Sequence, residues 1–227
     1  MPELDFRVES AEPLTFAASP HLVFKILVTN ADPQEQIKNV MLRCQIQIET
    51  VKRQYAAEEK ERLFELYGES ERWGQTLKTL LWTHANVLVP PFSNKVVVDM
   101  HVPCTFDVNV ATTKYFSGLS DGHIPLCLLF SGTIFYRDAD GSLQVSQISW
   151  EKEATFQLPV SVWQKMMEHY YPNSAWLNIR RDVFERLQDY KVRNAIPSWE
   201  LALDELLVGA EDALADETIN VQSKAVS

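Results

Sequence analysis

Apolar and polar residues alternate along most of the first 158 residues, a pattern typical of antiparallel strands with one solvent-facing side. Leu4, Phe6 and Val8, for example, alternate with charged residues. Over residues 78–89 both faces are largely apolar, which favours a central strand. The pattern predicts strands over residues 4–9, 21–30, 40–48, 78–89, 94–102, 104–110, 126–136, 143–150 and 153–158.

Helical spacing of apolar residues interrupts this pattern twice and replaces it from Pro159 onward. A helix over residues 58–68 and a short helix over 111–122 are predicted as insertions between strands, each closed by a glycine. Three further helices are predicted over residues 159–171, over 178–193 and from an N-cap at Ser198.

Strands followed by helices indicate an α+β, mainly β fold. We expect a two-layer antiparallel β-sandwich of about eight or nine strands, with inserted helices and a C-terminal helical unit. The predicted sandwich covers residues 1–158, and a helical appendage packed on it covers 159–209. The acidic segment 210–227 is predicted to be a disordered tail because its apolar residues are few.

The charge distribution narrows the classes of partner. The 227 residues carry a net charge of −10, and residues 200–227 alone contain seven acids and one base. Nucleic acids and anionic lipid surfaces attract clustered positive charge, so neither is expected as a main partner. The acidic start of the chain does not resemble a secretory signal, and the three cysteines suit a reducing compartment, so we expect a cytoplasmic protein.

Histidine and cysteine form two close pairs, His101 with Cys104 and His123 with Cys127. Zinc sites need four nitrogen or sulfur ligands, usually in tightly spaced pairs such as CxxC, and no CxxC is present. The apolar neighbours of Cys127 favour a packing role for that thiol. These four residues are therefore weak candidate metal ligands, and we expect neither a bound metal nor a cofactor.

Six tryptophans are many for a chain of this length. Those near the helices, including Trp163 and Trp176, are expected to anchor helix-to-strand packing. An aromatic-lined pocket between sandwich and helices, serving a small-ligand binder or an enzyme, is the alternative. The sequence has no nucleophile signature and no phosphate-binding glycine loop, so we expect no catalysis.

The segment 178–194, NIRRDVFERLQDYKVRN, is the one basic stretch, with five bases and three acids. Acid–base pairs four residues apart are typical of a solvated helix face. In an acidic protein the same face is also a docking candidate. The candidate partner-binding residues are Arg180, Arg181, Arg186 and Arg193.

Four segments together resemble an uncharacterised bacterial family, a domain of unknown function often encoded beside NiFe-hydrogenase structural and maturation genes. The segments are RWGQTLKTLLW (72–82), VPCTFDVNV (102–110), KYFSGLSDGHIPLCLLFSGTIFY (114–136) and LPVSVWQKMMEHYYPNSAWL (158–177). The resemblance covers about residues 1–208 and assigns no catalytic residue. It implies a cytoplasmic accessory or assembly role, with hydrogenase subunits or maturation factors as partners.

Together these observations favour a non-catalytic cytoplasmic protein-interaction module, with an accessory or assembly role for a NiFe-hydrogenase implied by the resemblance. Two alternatives stay open: a metal-handling protein that serves a metalloenzyme, and a ligand binder or enzyme with an aromatic-lined pocket. The sequence leaves the oligomeric state undetermined.

Overall fold

The structure is a computed structural model, and it describes residues 2–32, 35–105, 110–138, 140–174 and 177–225, with side chains as far as residue 212. It confirms the predicted fold class, since eight strands form two antiparallel sheets. The strands are β1 (Leu4–Pro13), β2 (His21–Asn30), β3 (Gln36–Ile48), β4 (Leu80–Val89), β5 (Lys95–Pro103), β6 (His123–Arg137), β7 (Leu143–Gln147) and β8 (Glu153–Pro159).

The smaller sheet has the strand order β1-β2-β5, and the larger has β4-β3-β6-β7 with β8 also paired to β6. β6 pairs with β3 along most of its length. On its other edge it pairs with β8 over residues 123–129 and with β7 over 133–137. The 15-residue strand β6 is therefore long enough to hold two partners end to end.

One hydrophobic core lies between the two sheets. Phe6 of β1 stacks on Phe130 of β6 with ring centroids 4.5 Å apart, which joins the small sheet to the large one. Phe24 of β2 meets Trp82 of β4 edge to face at 6.1 Å. The inward residues found by period-2 alternation are the ones buried here, so apolar burial drives the pairing of the sheets.

Gly132 allows a close approach of β6 to β3. Its φ is +146°, and a Cβ at this position would lie 2.1 Å from the backbone oxygen of Met41. Any other residue would have to push the two strands apart, because a backbone oxygen cannot move away independently.

Seven helices complete the described chain. They are α1 (Ala57–Arg62), α2 (Phe64–Tyr67), α3 (Trp73–Thr76), α4 (Val110–Gly118), α5 (Val160–Tyr170), α6 (Arg181–Arg193) and α7 (Trp199–Ala225). The helix predicted over residues 58–68 is two short helices, α1 and α2, with Leu63 between them. Ser198 caps α7 as predicted, its Oγ accepting the backbone N–H of Leu201 at 3.2 Å.

A strand is predicted over residues 104–110, but the described residues of this segment form none. Cys104 and Thr105 are irregular, and Val110 already begins α4. Residues 106–109 lie outside the described residues. The apolar and polar residues of this segment alternate, but apart from one bond from the Cys104 N–H to the backbone oxygen of Pro20 at 2.9 Å, its described ends pair with no strand of either sheet.

The chain divides into two compact units, residues 1–175 and residues 176–227. The first, the β-body, contains both sheets and α1 to α5; the second, the helical unit, contains α6 and α7. The sequence interpretation counts α5 with the helical appendage, whereas the structure places α5 within the β-body. α7 runs to Ala225, across most of the segment predicted to be a disordered tail. No described helix combines the length and apolar character that crossing a membrane requires.

Candidate functional site

The structure places the two histidine–cysteine pairs in different sheets. His101 lies on β5 and Cys104 directly follows it, whereas His123 and Cys127 lie on β6. The Cys104 thiol donates to the backbone oxygen of Val102 at 3.3 Å. Within the described ranges, no three His, Cys, Asp or Glu side chains gather closely enough to hold a metal ion. The sequence spacing therefore does not become a spatial cluster in these parts of the chain.

The three thiols are free and buried. Burial raises the pKa of Cys44 to about 12, and it raises the pKa of Cys104 to about 12 as well. The pKa of Cys127 is also raised, first by burial and then by the nearby carboxylate of Glu153. At neutral pH these sulfurs are protonated, and a protonated thiol is a poor nucleophile and a poor metal ligand.

A buried ion pair, Arg53 with Glu59, lies beneath α1. The two side chains are 7% and 2% exposed, and Arg53 Nη2 lies 2.6 Å from Glu59 Oε1. The Glu59 carboxylate also accepts the backbone N–H groups of Ser120 at 2.9 Å and Ala56 at 3.1 Å. Burial works to raise the pKa of Glu59, but these N–H donors and the Arg53 charge outweigh it and hold the pKa below its ordinary value.

The Arg53 guanidinium donates to two more groups, the backbone oxygens of His123 at 2.7 Å and Asp121 at 2.9 Å. The pair thus ties the start of α1 to the loop that leads into β6. Arg53 Nε is buried without a hydrogen-bond partner among the described residues, but the other bonds of the two side chains are made within this chain, so the pair acts as an internal strap. This pair is not predicted from the sequence; its one sequence signal is Glu59 in the third position of α1, where a carboxylate reaches back to the helix start.

Aromatic rings fill the space where a ligand pocket was considered. Phe116 of α4 lies 4.9 Å from Trp82 and 5.5 Å from Trp163, between ring centroids. The cavity beside them measures about 10 Å³, which is room for about one water molecule. Trp163 therefore packs α5 against α4 within the β-body. Trp176, the other tryptophan considered for a pocket, lies outside the described residues.

The helical unit shows a different use of apolar residues. Its two helices touch where the rings of Phe184 and Trp199 lie 5.3 Å apart, with Lys191 Nζ 5.4 Å from the Trp199 ring centre. Among the described side chains of α6 and α7, Ala202 is the only buried one. Large apolar side chains stay 36–61% exposed, namely Val183, Phe184, Trp199, Leu203, Leu206 and Leu207. We call this set the open stripe.

The candidate partner-binding arginines flank the open stripe on α6. Three of them pair within the segment: Arg180 with Asp182 at 2.9 Å, Arg181 with Glu185 at 2.9 Å, and Arg193 with Asp189 at 3.5 Å. The side chains of Arg180, Arg181 and Arg193 are 78–92% exposed, and Arg186 is exposed as well. These pairs are therefore weak and leave the arginine heads accessible.

The acids of the described part of α7 lie on the other helix of the unit. Residues 199–212 contain five acids and no base, and all five side chains are exposed. The helical unit therefore combines three features: an apolar stripe without cover, a basic helix and an acidic helix.

Comparison with known families returns one match. The model of DUF6084, described as a family of unknown function, covers residues 1–215 of the chain. The expectation of a family without an assigned function is thereby confirmed. A search among curated proteins found no match.

Proposed function

Since the chain belongs to the DUF6084 family of unknown function, we propose its function from its own surface: it is a non-catalytic protein-interaction module that binds its partner through α6 and α7. The observation that carries the proposal is the open stripe. Contiguous apolar side chains on a polar surface are typical of protein-binding sites.

The size of the helical unit strengthens this inference. α6 has 13 residues and α7 has 27, and the contacts between them include the ring pair of Phe184 with Trp199 and Lys191 over the Trp199 ring. Most of the stability of a helix in a protein comes from burying an amphipathic face. Two helices that leave this face open gain stability when a partner covers it.

The arginines supply the polar rim that such an interface needs. An interface commonly has an apolar centre and charged residues around it, and the charges set specificity and association rate more than affinity. Arg180, Arg181, Arg186 and Arg193 are placed to meet an acidic surface of the partner.

The chemistry of the β-body supports a non-catalytic role. Raised pKa values keep its thiols protonated, and the charged groups of Arg53 and Glu59 are engaged in the internal strap. We propose a cytoplasmic location as part of the same function, because three unpaired thiols suit a reducing compartment.

For the partner we propose a NiFe-hydrogenase subunit or maturation factor, so that the module is an accessory or assembly factor. This finer step rests on the family resemblance of the four sequence segments alone. Its support would come from the identity of the proteins captured in the experiment below.

The test is affinity capture from the native host with mass spectrometry of the bound proteins. We compare the wild type with Arg180→Glu combined with Arg181→Glu. The matched control is Arg7→Glu with Arg62→Glu, which changes the net charge equally on exposed arginines of the β-body. We expect the first variant to lose at least one protein that both the wild type and the control retain. Equal capture by all three would overturn α6 as the binding surface.

A further inference from the structure

We propose, as an extension of the proposed function, that the open stripe is covered by a second copy of this chain. The helical units of two copies form an antiparallel four-helix bundle, in which basic α6 of one copy lies against acidic α7 of the other. Any hydrogenase protein would then bind the dimer.

The position of the open stripe calls for a further helix pair to cover it. Trp199, Leu203 and Leu206 recur at steps of four and three, so they lie on one face of α7. Trp199 contacts Phe184 of α6, while Leu203 is 38% and Leu206 41% exposed. The contact within the unit thus covers one margin of the stripe, and a further helix pair is needed to cover the rest.

The opposite charges of the two helices favour a second copy of this chain as the occupant. Residues 180–193 have a net charge of +2, and residues 199–212 have a net charge of −5. A two-fold axis places α6 of each copy against α7 of the other, so the same attraction forms twice. Placing residues 199–212 of one copy against the same residues of the other would bring ten acids together, which disfavours that arrangement.

The spacing of the charged residues on the two helices also fits this pairing. Arg186 and Arg193 are seven residues apart on α6, and Asp204 and Glu211 are seven residues apart on α7. In each helix the pair flanks the apolar stripe and its members rise about 10 Å along the axis. Because the two pairs have the same separation, the two arginines of one copy can lie opposite the two acids of the other across an antiparallel interface. Charges beside the apolar seam of helical bundles pair in this way.

The expected affinity follows from the length of α6. Thirteen residues span about 20 Å, so a face two helices wide measures about 400 Å² and the dimer buries about 800 Å². This area lies below the roughly 1,200–2,000 Å² of stable specific interfaces, in the range of weak and transient ones. We therefore expect reversible dimerisation in the micromolar range, and we expect it to weaken as salt concentration rises.

The experiment is sedimentation velocity of the purified full chain from about 1 to 100 µM, a range chosen to bracket a low-area interface. The wild type should pass from monomer to dimer within it. Leu203→Asp with Leu206→Asp should weaken dimerisation at least tenfold. The matched control, Leu81→Asp with Val97→Asp, alters two β-body residues of 47% and 46% exposure and should dimerise like the wild type.

A charge exchange keeps the test decisive if the leucine variant fails to fold. Arg186→Glu with Arg193→Glu should weaken dimerisation at least tenfold, and so should Asp204→Lys with Glu211→Lys. Mixing these two variants should restore both complementary contacts, one of them with its charges exchanged, and yield a heterodimer tighter than either homodimer. If both charge variants dimerise as tightly as the wild type, the bundle is overturned.

The failure of this inference can be told from the failure of the proposed function. A wild type that stays monomeric at 100 µM overturns the bundle. If the arginine variant nevertheless loses a captured protein from the host, the interaction function stands with a different occupant. A dimer with no other captured protein supports the bundle and overturns the hydrogenase partner.

Discussion

The β-body and the helical unit use the same kinds of apolar residue in opposite ways. Phe24, Phe116 and Tyr115 in the β-body are at most 2% exposed, and each packs against other rings. Leu206 and Leu207 in the helical unit are 41% and 61% exposed. The apolar residues of the β-body are therefore buried within the chain, whereas those of the helical unit stay partly open to solvent.

The largest effect should follow from emptying the core of the β-body. Phe24→Ala removes a fully buried ring that contacts Trp82 and Phe156, and it should lower the free energy of unfolding by about 3–5 kcal/mol. Val192→Ala on α6 removes a side chain that is 70% exposed. This change should alter the free energy of unfolding by less than about 0.5 kcal/mol. Urea denaturation measures both. Equal effects would remove the contrast between the two regions.

The next effect tests the internal strap. Glu59→Gln leaves the Arg53 charge buried without its counter-ion and should cost about 3 kcal/mol in urea denaturation. The control is Glu65→Gln, which removes an exposed carboxylate paired with Lys114 and should cost less than about 1 kcal/mol. A similar loss in both variants would contradict the strap.

The same carboxylate predicts a pH dependence. The pKa of Glu59 is lowered in the folded state, so its contribution is complete above its ordinary value of 4.5. The contribution is lost as pH falls through the lower folded-state pKa. The stability difference between wild type and Glu59→Gln should therefore shrink below pH 4.5, as denaturation at several pH values would show. A constant difference down to pH 2 would argue against this linkage.

A smaller effect is expected where β6 approaches β3. Gly132→Ala places a Cβ against the Met41 backbone oxygen at a positive φ, and it should destabilise the β-body by about 2–3 kcal/mol. Gly74→Ala is the control, because no atom lies within 4 Å of its added Cβ. It should leave the thermal midpoint within about one or two degrees. A tolerated Gly132→Ala would mean that the two strands can separate locally.

The smallest effect on folding should come from the arginines of the helical unit. Arg180→Glu with Arg181→Glu alters side chains that are 78% and 92% exposed, so the free energy of unfolding should change by less than about 1 kcal/mol. The binding effect proposed above is larger. A thermal melt of this variant that falls by ten degrees or more would assign these arginines a structural role.

Much of the fold follows from the sequence because alternation reports which side of a strand is buried. Strand β2 was predicted with its observed bounds, residues 21–30. The double pairing of β6 was not predicted, because periodicity describes one strand and says nothing of its neighbours. The Arg53–Glu59 pair was missed because charged residues in a short helical segment are typical of solvent-exposed surface.

The candidate site was predictable in part for the same reason. Spacing places Trp199, Leu203 and Leu206 on one side of α7, but spacing does not say what covers that side. The structure supplies this information: α6 leaves Leu206 41% exposed and Leu207 61% exposed. The placement of His101 and His123 in different sheets likewise depends on chain topology, which local sequence does not encode.

The pairing of β3 with β6 has a kinetic consequence. Residues that meet across it, such as Val40 and Ile134, are about 90 positions apart along the chain. Closing so long a loop costs chain entropy before the contacts that offset this cost can form. Folding rates therefore fall as the mean sequence separation of contacting residues grows. The β-body should therefore fold in milliseconds to seconds, whereas helix formation in α6 takes less than about a microsecond. During refolding, α6 should therefore form and melt many times before the central sheet has closed, because an isolated helix of 13 residues is only marginally stable in water.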